Sequence, residues 1–104
     1  MVTTVVNIHK INGKRPYFDV YIGRATRNTE FEDDSFWANP YRRDDPDWRN
    51  KYRSHISKRL EQFGWRKILE LDDKILGCWC KPLDCHGDIL IELLNNYKER
   101  LEIA

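Results

Sequence analysis

The sequence predicts a single α/β domain, a small sheet of three to four strands with helices packed on it. Three observations carry this. Short runs rich in β-branched or apolar residues recur at residues 3–8, 18–22 and 74–80. Two longer segments, 48–63 and 89–101, place apolar residues at helical spacing. The order along the chain is β-β-loop-α-β-α, with a short extra helix before the last strand, and that order puts helices against a sheet. An α+β arrangement is the alternative. A chain of 104 residues is one domain, spanning 1–104.

Each element has its own warrant. Thr3-Thr4-Val5-Val6-Asn7-Ile8 reads as a strand, Asn12-Gly13 as a turn, and Phe18-Asp19-Val20-Tyr21-Ile22 as a second strand. The short link between the strands favours an antiparallel hairpin, because a parallel pair needs a long crossover. Residues 23–43 show no clean periodicity, and a loop of this length in a small domain is often functional. Its rings, Phe31, Phe36, Trp37 and Tyr41, either cover the sheet or line a pocket. Asp44-Asp45-Pro46-Asp47 is a helix start. Trp48, Tyr52, Ile56, Leu60 and Phe63 form the apolar stripe that follows, with Gly64 as its cap. Residues 65–71 add a short helix. Residues 74–80 form a central strand that Pro82 ends. Asp84 caps the last helix, which buries Ile89, Leu90, Leu93, Leu94, Tyr97 and Leu101.

The charge balance excludes some functions. Eighteen basic and seventeen acidic side chains leave a formal charge of +1, which disfavours a general nucleic-acid-coating role. No apolar run reaches the length of a membrane span, and residues 1–4 lack the basic start and apolar stretch of a signal peptide. The expected location is the cytoplasm. All three cysteines fall between Cys78 and Cys85, which does not fit a secreted disulfide framework.

The candidate site is Gly77-Cys78-Trp79-Cys80-Lys81-Pro82-Leu83-Asp84-Cys85-His86-Gly87-Asp88, a strand end, a tight loop and a helix start. Ligand sites of α/β proteins gather at the carboxyl ends of strands. The N–H groups of a helix start favour an anion or a thiolate, and Gly87 lets a ligand or another backbone approach. Three readings stay open. Cys85, exposed at the helix start, is a nucleophile or redox thiol, with Lys81 or His86 aiding it. Alternatively Cys78, Cys80, Cys85 and His86 hold zinc, although their spacing differs from the usual fingers and ribbons. In the third reading the cysteines are small core residues. Tyr21-Ile22-Gly23-Arg24 ends the second strand with a guanidinium suited to phosphate or carboxylate. If strands two and three are parallel neighbours, Arg24 lies at the same edge as Cys85 and His86.

The chain resembles the domain of unknown function 4326 family, small proteins of bacteria and phages. The resemblance rests on Val5-Val6-Asn7-Ile8, Val20-Tyr21-Ile22-Gly23-Arg24, Asn39-Pro40-Tyr41, Gly77-Cys78-Trp79-Cys80-Lys81-Pro82 and Cys85-His86-Gly87-Asp88. Members usually carry Trp-Gly-Asn-Pro-Phe where this chain has Trp37-Ala38-Asn39-Pro40-Tyr41. The family name implies no activity. The resemblance associates Arg24, Asn39, Cys80, Cys85, His86 and Asp88 as one motif set, and it implies a phage or mobile-element origin. The Cys-His helix start is also similar to that of a bacterial family with Rossmann-like architecture, an analogy of fold only.

The leading expectation is a cytoplasmic protein that binds a nucleotide-like or other anionic small ligand. Cys85, His86 and Asp88 would supply any catalysis. Tyr21, Gly23, Arg24, Trp37, Asn39, Cys80, Lys81 and Gly87 would bind the ligand. No cofactor is expected, with zinc as the alternative. The other expectations are a non-catalytic phage accessory module, which inhibits a host protein or sequesters a signalling nucleotide, and a metal-stabilised structural domain.

Overall fold

The computed structural model describes residues 2–26, 31, 33–42, 44–79 and 84–103. Strand β1 spans Thr4–Asn7 and β2 spans Val20–Tyr21. Helix α1 runs Trp48–Phe63, and a 3₁₀ helix follows at Trp65–Leu71. Strand β3 is Ile75–Cys78, and α2 is His86–Ile103. The α/β class is the one the sequence predicts, and the described residues form three strands.

The sheet order is β1-β3-β2, and both outer strands run parallel to β3. The expected hairpin between β1 and β2 does not form. The twelve residues 8–19 are just long enough to cross over β3, and a crossover of about a dozen residues allows parallel strands. Asn12-Gly13 does make a turn, but a local one. Both residues have positive φ, 53° and 76°, and Ile11 and Lys14 exchange backbone hydrogen bonds around them. The turn signal was therefore real, and it joins Ile11 to Lys14, three residues apart, rather than two strands.

β3 is central, and its side chains alternate between faces. Leu76 and Cys78 join the main core with Ile22, Tyr52, Ile56, Leu60, Leu90 and Leu94. On the opposite face Gly77 lies under the crossover. A Cβ there would come within 2.8 Å of the Phe18 ring and 2.9 Å of Ile8 Cγ2. The stripe Trp48, Tyr52, Ile56 and Leu60 is buried as its i, i+4 spacing requires. Phe63 leaves the stripe and is 64% exposed, its ring edge-on to Phe36 at 5.3 Å. The helix begins after Asp47, and Asp45 Oδ1 accepts the Asp47 N–H at 2.9 Å. Gly64 ends it at φ 96°, a left-handed backbone that glycine adopts without strain. Trp65 of the 3₁₀ helix stacks on Tyr97 of α2. Leu101 stays half exposed, beyond the buried face of α2. No helix among the described residues is long and apolar enough to cross a membrane.

Candidate functional site

The parallel pairing of β2 with β3 sets the geometry. Tyr21 pairs with Gly77, so the chain leaving β2 and the chain leaving β3 emerge at one edge. A cleft of about 300 Å³ opens there, lined by Gly23, Arg24, Ala25, Thr26, Asn39, Trp79 and His86. It lies over the carboxyl ends of the strands, where α/β proteins place ligands.

Each wall is held by named bonds. Tyr21 Oη donates to the Arg24 carbonyl at 2.5 Å, and Trp79 Nε1 donates to Tyr21 Oη at 2.7 Å. This chain of two hydrogen bonds ties the backbone of Arg24 to the end of β3. Gly23 is needed for it, because a Cβ at that position would lie 2.5 Å from Tyr21 Oη. The loop beyond folds back on itself. Ser35 N–H donates to the Gly23 carbonyl at 3.0 Å, Ala25 N–H to Asp34 Oδ1 at 2.7 Å, and Thr26 N–H to the Phe31 carbonyl at 2.9 Å. Phe31 is thereby laid flat on Tyr21, ring centres 3.7 Å apart. Asn39 is buried, and its Oδ1 accepts the Tyr41 N–H at 2.9 Å. That bond uses one lone pair of the amide oxygen, and the NH₂ group is the donor side of Asn39.

His86 begins α2 and is 5% exposed. One ring nitrogen, Nε2, lies 2.6 Å from the Ile22 carbonyl. A carbonyl only accepts, so Nε2 carries the proton and Nδ1 of the neutral ring is bare. Burial lowers the His86 pKa, and the nearby Arg24 charge pushes the same way. The Ile22 carbonyl, Cys78 and Asp88 pull it back up. The ring stands edge-on to Tyr52, centres 5.1 Å apart, and Tyr52 Oη donates to the Trp37 carbonyl at 2.8 Å.

A pH dependence follows. Burial keeps the folded pKa of His86 below its unfolded value of about 6.5, so below that pH the unfolded chain binds more protons. Stability is full above the unfolded pKa and falls as pH drops toward the folded one. His55 has the same sign, through burial first and Arg59 second. Urea denaturation from about pH 7 down to about pH 5 is expected to show this decline. A doubly substituted chain, His55→Gln with His86→Gln, is expected to lose most of that slope. An unchanged slope would mean that neither ring is held neutral by the fold.

The expected site residues divide. Arg24, Asn39, Gly23 and His86 meet in the cleft, and Tyr21 supports it from beneath. Cys85, expected to be exposed, is 2% exposed, with its Sγ 3.0 Å from Cys78 Sγ. The reason is that the chain turns inward before α2. Cys85 occupies the position preceding the helix, and its Sγ accepts the Gly87 N–H at 3.4 Å. Asp84, expected as the cap, pairs instead with Arg49 of α1. Asp88 does not line the cleft. It is exposed and lines a separate groove with Arg49, Arg53 and Glu92. Trp37 is core, consistent with the covering role of the loop rings. Close approach to Gly87 is made by Val5 and Ile22 side chains. Cys80 and Lys81 lie outside the described residues.

Trp79, Ala25 and Thr26 line the cleft without having been expected there. Strand alternation already set Trp79 on the face opposite Cys78, which was the available signal. For zinc, tetrahedral geometry with Zn–S near 2.3 Å would hold two thiolates roughly 3.7 Å apart. The observed 3.0 Å between Cys78 and Cys85 is closer than that. Among the described residues no group of three His, Cys, Asp or Glu is arranged to hold a metal.

No curated protein and no solved structure matches the chain. A family model does match, the domain of unknown function DUF4326, over residues 6–96. That span contains the end of β1, all of β2, α1 and β3, the central loop and the cysteine segment through the first turns of α2. The protein belongs to the DUF4326 family.

Proposed function

We propose that this protein binds a small anionic, nucleotide-like ligand in the cleft at the carboxyl ends of β2 and β3. The observation that carries the reading is the convergence of Arg24, Asn39, Trp79 and His86 on one cavity of about 300 Å³. Arg24 is a fixed cation suited to phosphate or carboxylate. Asn39 adds a neutral donor, and Trp79 adds an aromatic wall suited to a base or another flat group. The Asp34 carboxylate on the same loop accepts the Ala25 N–H.

Binding without turnover is the favoured form. Cys85 is buried, and both ring nitrogens of His86 have partners inside the protein, Nε2 the Ile22 carbonyl and Nδ1 the Cys85 Sγ at 3.9 Å. Chemistry on the ligand would need a reactive atom presented to the cleft.

Calorimetric titration with inorganic phosphate and a panel of nucleoside mono- and diphosphates tests the reading. Arg24→Ala is expected to weaken binding roughly 10- to 100-fold, the value of a hydrogen bond to a charged group. Cys85→Ala is expected to leave affinity within a few-fold and to cause no loss of turnover, because none is expected. Failure of the whole panel to bind below about 1 mM, or equal affinity of Arg24→Ala and the parent, would overturn it.

A further inference from the structure

Two thiols meet behind the cleft. Cys78 ends β3 and is fully buried, and Cys85 precedes α2. Their sulfurs are 3.0 Å apart, about 1 Å beyond the length of a disulfide bond. Such a bond needs a small approach of two side chains already in contact.

The two sulfurs differ in their surroundings. Cys85 Sγ accepts the Gly87 N–H at the start of an 18-residue helix, where the N–H groups and the helix dipole favour a thiolate. His86 Nδ1 lies 3.9 Å from it. That nitrogen is bare, because Nε2 carries the ring proton, and it can take the thiol proton. Cys85 also lines a second cavity, again about 300 Å³, between α1 and α2. Two ion pairs, Arg49 with Asp84 and Arg53 with Glu92, border this cavity, and Asp88 lies beside them. Its charge is mixed, so the helix start rather than the groove favours the thiolate. A groove of this size admits a small oxidant. Cys78 has no share in that groove's lining.

We propose that Cys78 and Cys85 form a redox dithiol with a hydroperoxide as oxidant, Cys85 reacting first and Cys78 resolving. The Cys85 thiolate attacks one peroxide oxygen. The O–O bond breaks, an S–OH bond forms, and the leaving oxygen takes the proton that Cys85 gave up and departs as water or an alcohol. Cys78 Sγ then attacks Cys85 Sγ. The S–S bond forms, the S–O bond breaks, and the hydroxide leaves as water with the proton of Cys78. Two thiols have lost two protons and two electrons to the peroxide. The proposal is independent of the ligand assigned to the cleft.

The test uses the whole 104-residue chain with Cys80→Ser, which isolates the pair. Folded, reduced protein is treated with hydrogen peroxide, quenched, unfolded, alkylated and weighed. Both thiols are expected to be lost to alkylation, the chain to become lighter by two hydrogens, and a peptide linking Cys78 to Cys85 to appear. With Cys78→Ser added, a sulfenic acid at Cys85 is expected to be trapped by a cyclic dione. With Cys85→Ser added instead, Cys78 is expected to stay alkylatable. Full alkylation of both cysteines after peroxide would overturn the proposal, as would oxidation of Cys78 in the absence of Cys85. Where a serine variant fails to fold, the Cys80→Ser chain alone decides. Its disulfide must form faster in the native protein than in urea, and an equal or slower native rate refutes the pair.

Discussion

Leu60→Ala is expected to lower the free energy of unfolding by about 2–5 kcal/mol. Leu60 is fully buried in the last turn of α1, within the core cluster that includes Tyr52, Ile56, Ile68 and Leu71. Truncation removes apolar contact and leaves a cavity that the surrounding side chains refill only in part. A domain of this length holds on the order of 5–15 kcal/mol, so the loss is a large share of the total. Phe63→Ala is the control three residues away. Phe63 is mostly exposed, and its ring meets the partly buried Phe36 edge-on. Its truncation is expected to cost about 1 kcal/mol or less. Urea denaturation of both variants measures the contrast through the midpoint at constant slope. Equal losses would mean that α1 does not face the sheet as described.

Gly87→Val is expected to destabilise the fold by about 1–3 kcal/mol and to disturb the cleft at the same time. A Cβ at this position would lie 2.8 Å from Val5 Cγ2 and 2.9 Å from Ile22 Cδ1. Both neighbours sit on or next to strands of the sheet, so α2 must retreat from it. Valine is a better helix former than glycine by a few tenths of a kcal/mol, and that gain is smaller than the overpacking cost. The retreat would lengthen the His86 bond to the Ile22 carbonyl, now 2.6 Å. Amide exchange at Gly23 and Arg24 is expected to rise along with the fall in the denaturation midpoint. A Gly87→Val chain as stable as the parent would show that α2 does not rest on β1 and β2 through this glycine.

These two substitutions separate what was legible from what was not. Leu60 was readable because a helix repeats every 3.6 residues, and Trp48, Tyr52, Ile56 and Leu60 keep that period. Phe63 kept it too and is nevertheless exposed, because the helix ends there and Gly64 turns the chain away. The strands were readable from their β-branched residues. Their directions were not, because a run such as Val5-Val6 is equally apolar in a parallel or an antiparallel sheet. The Asn12-Gly13 turn argued for a hairpin and closed only a four-residue loop.

The cleft shows the same division. Arg24 and His86 were placed together on the condition that β2 and β3 are parallel neighbours, and they are. The burial of Cys85 was not readable. A cysteine before a helix faces solvent or core depending on how the preceding loop enters, which residues distant in sequence decide. Trp79 was assigned a face but no task, since Tyr21 reaches it only through the pairing of β2 with β3, and Phe31 only when the loop folds back.

Local pattern therefore settled the kinds of element, their order and the segment that carries the site. Periodicity and capping act over a few residues, and those residues are adjacent in the chain. Strand direction, the meeting of Cys78 with Cys85 and the assembly of Arg24, Asn39, Trp79 and His86 belong to the tertiary structure. Each depends on contacts between residues far apart in sequence, where packing decides among arrangements that local energetics leave nearly equal.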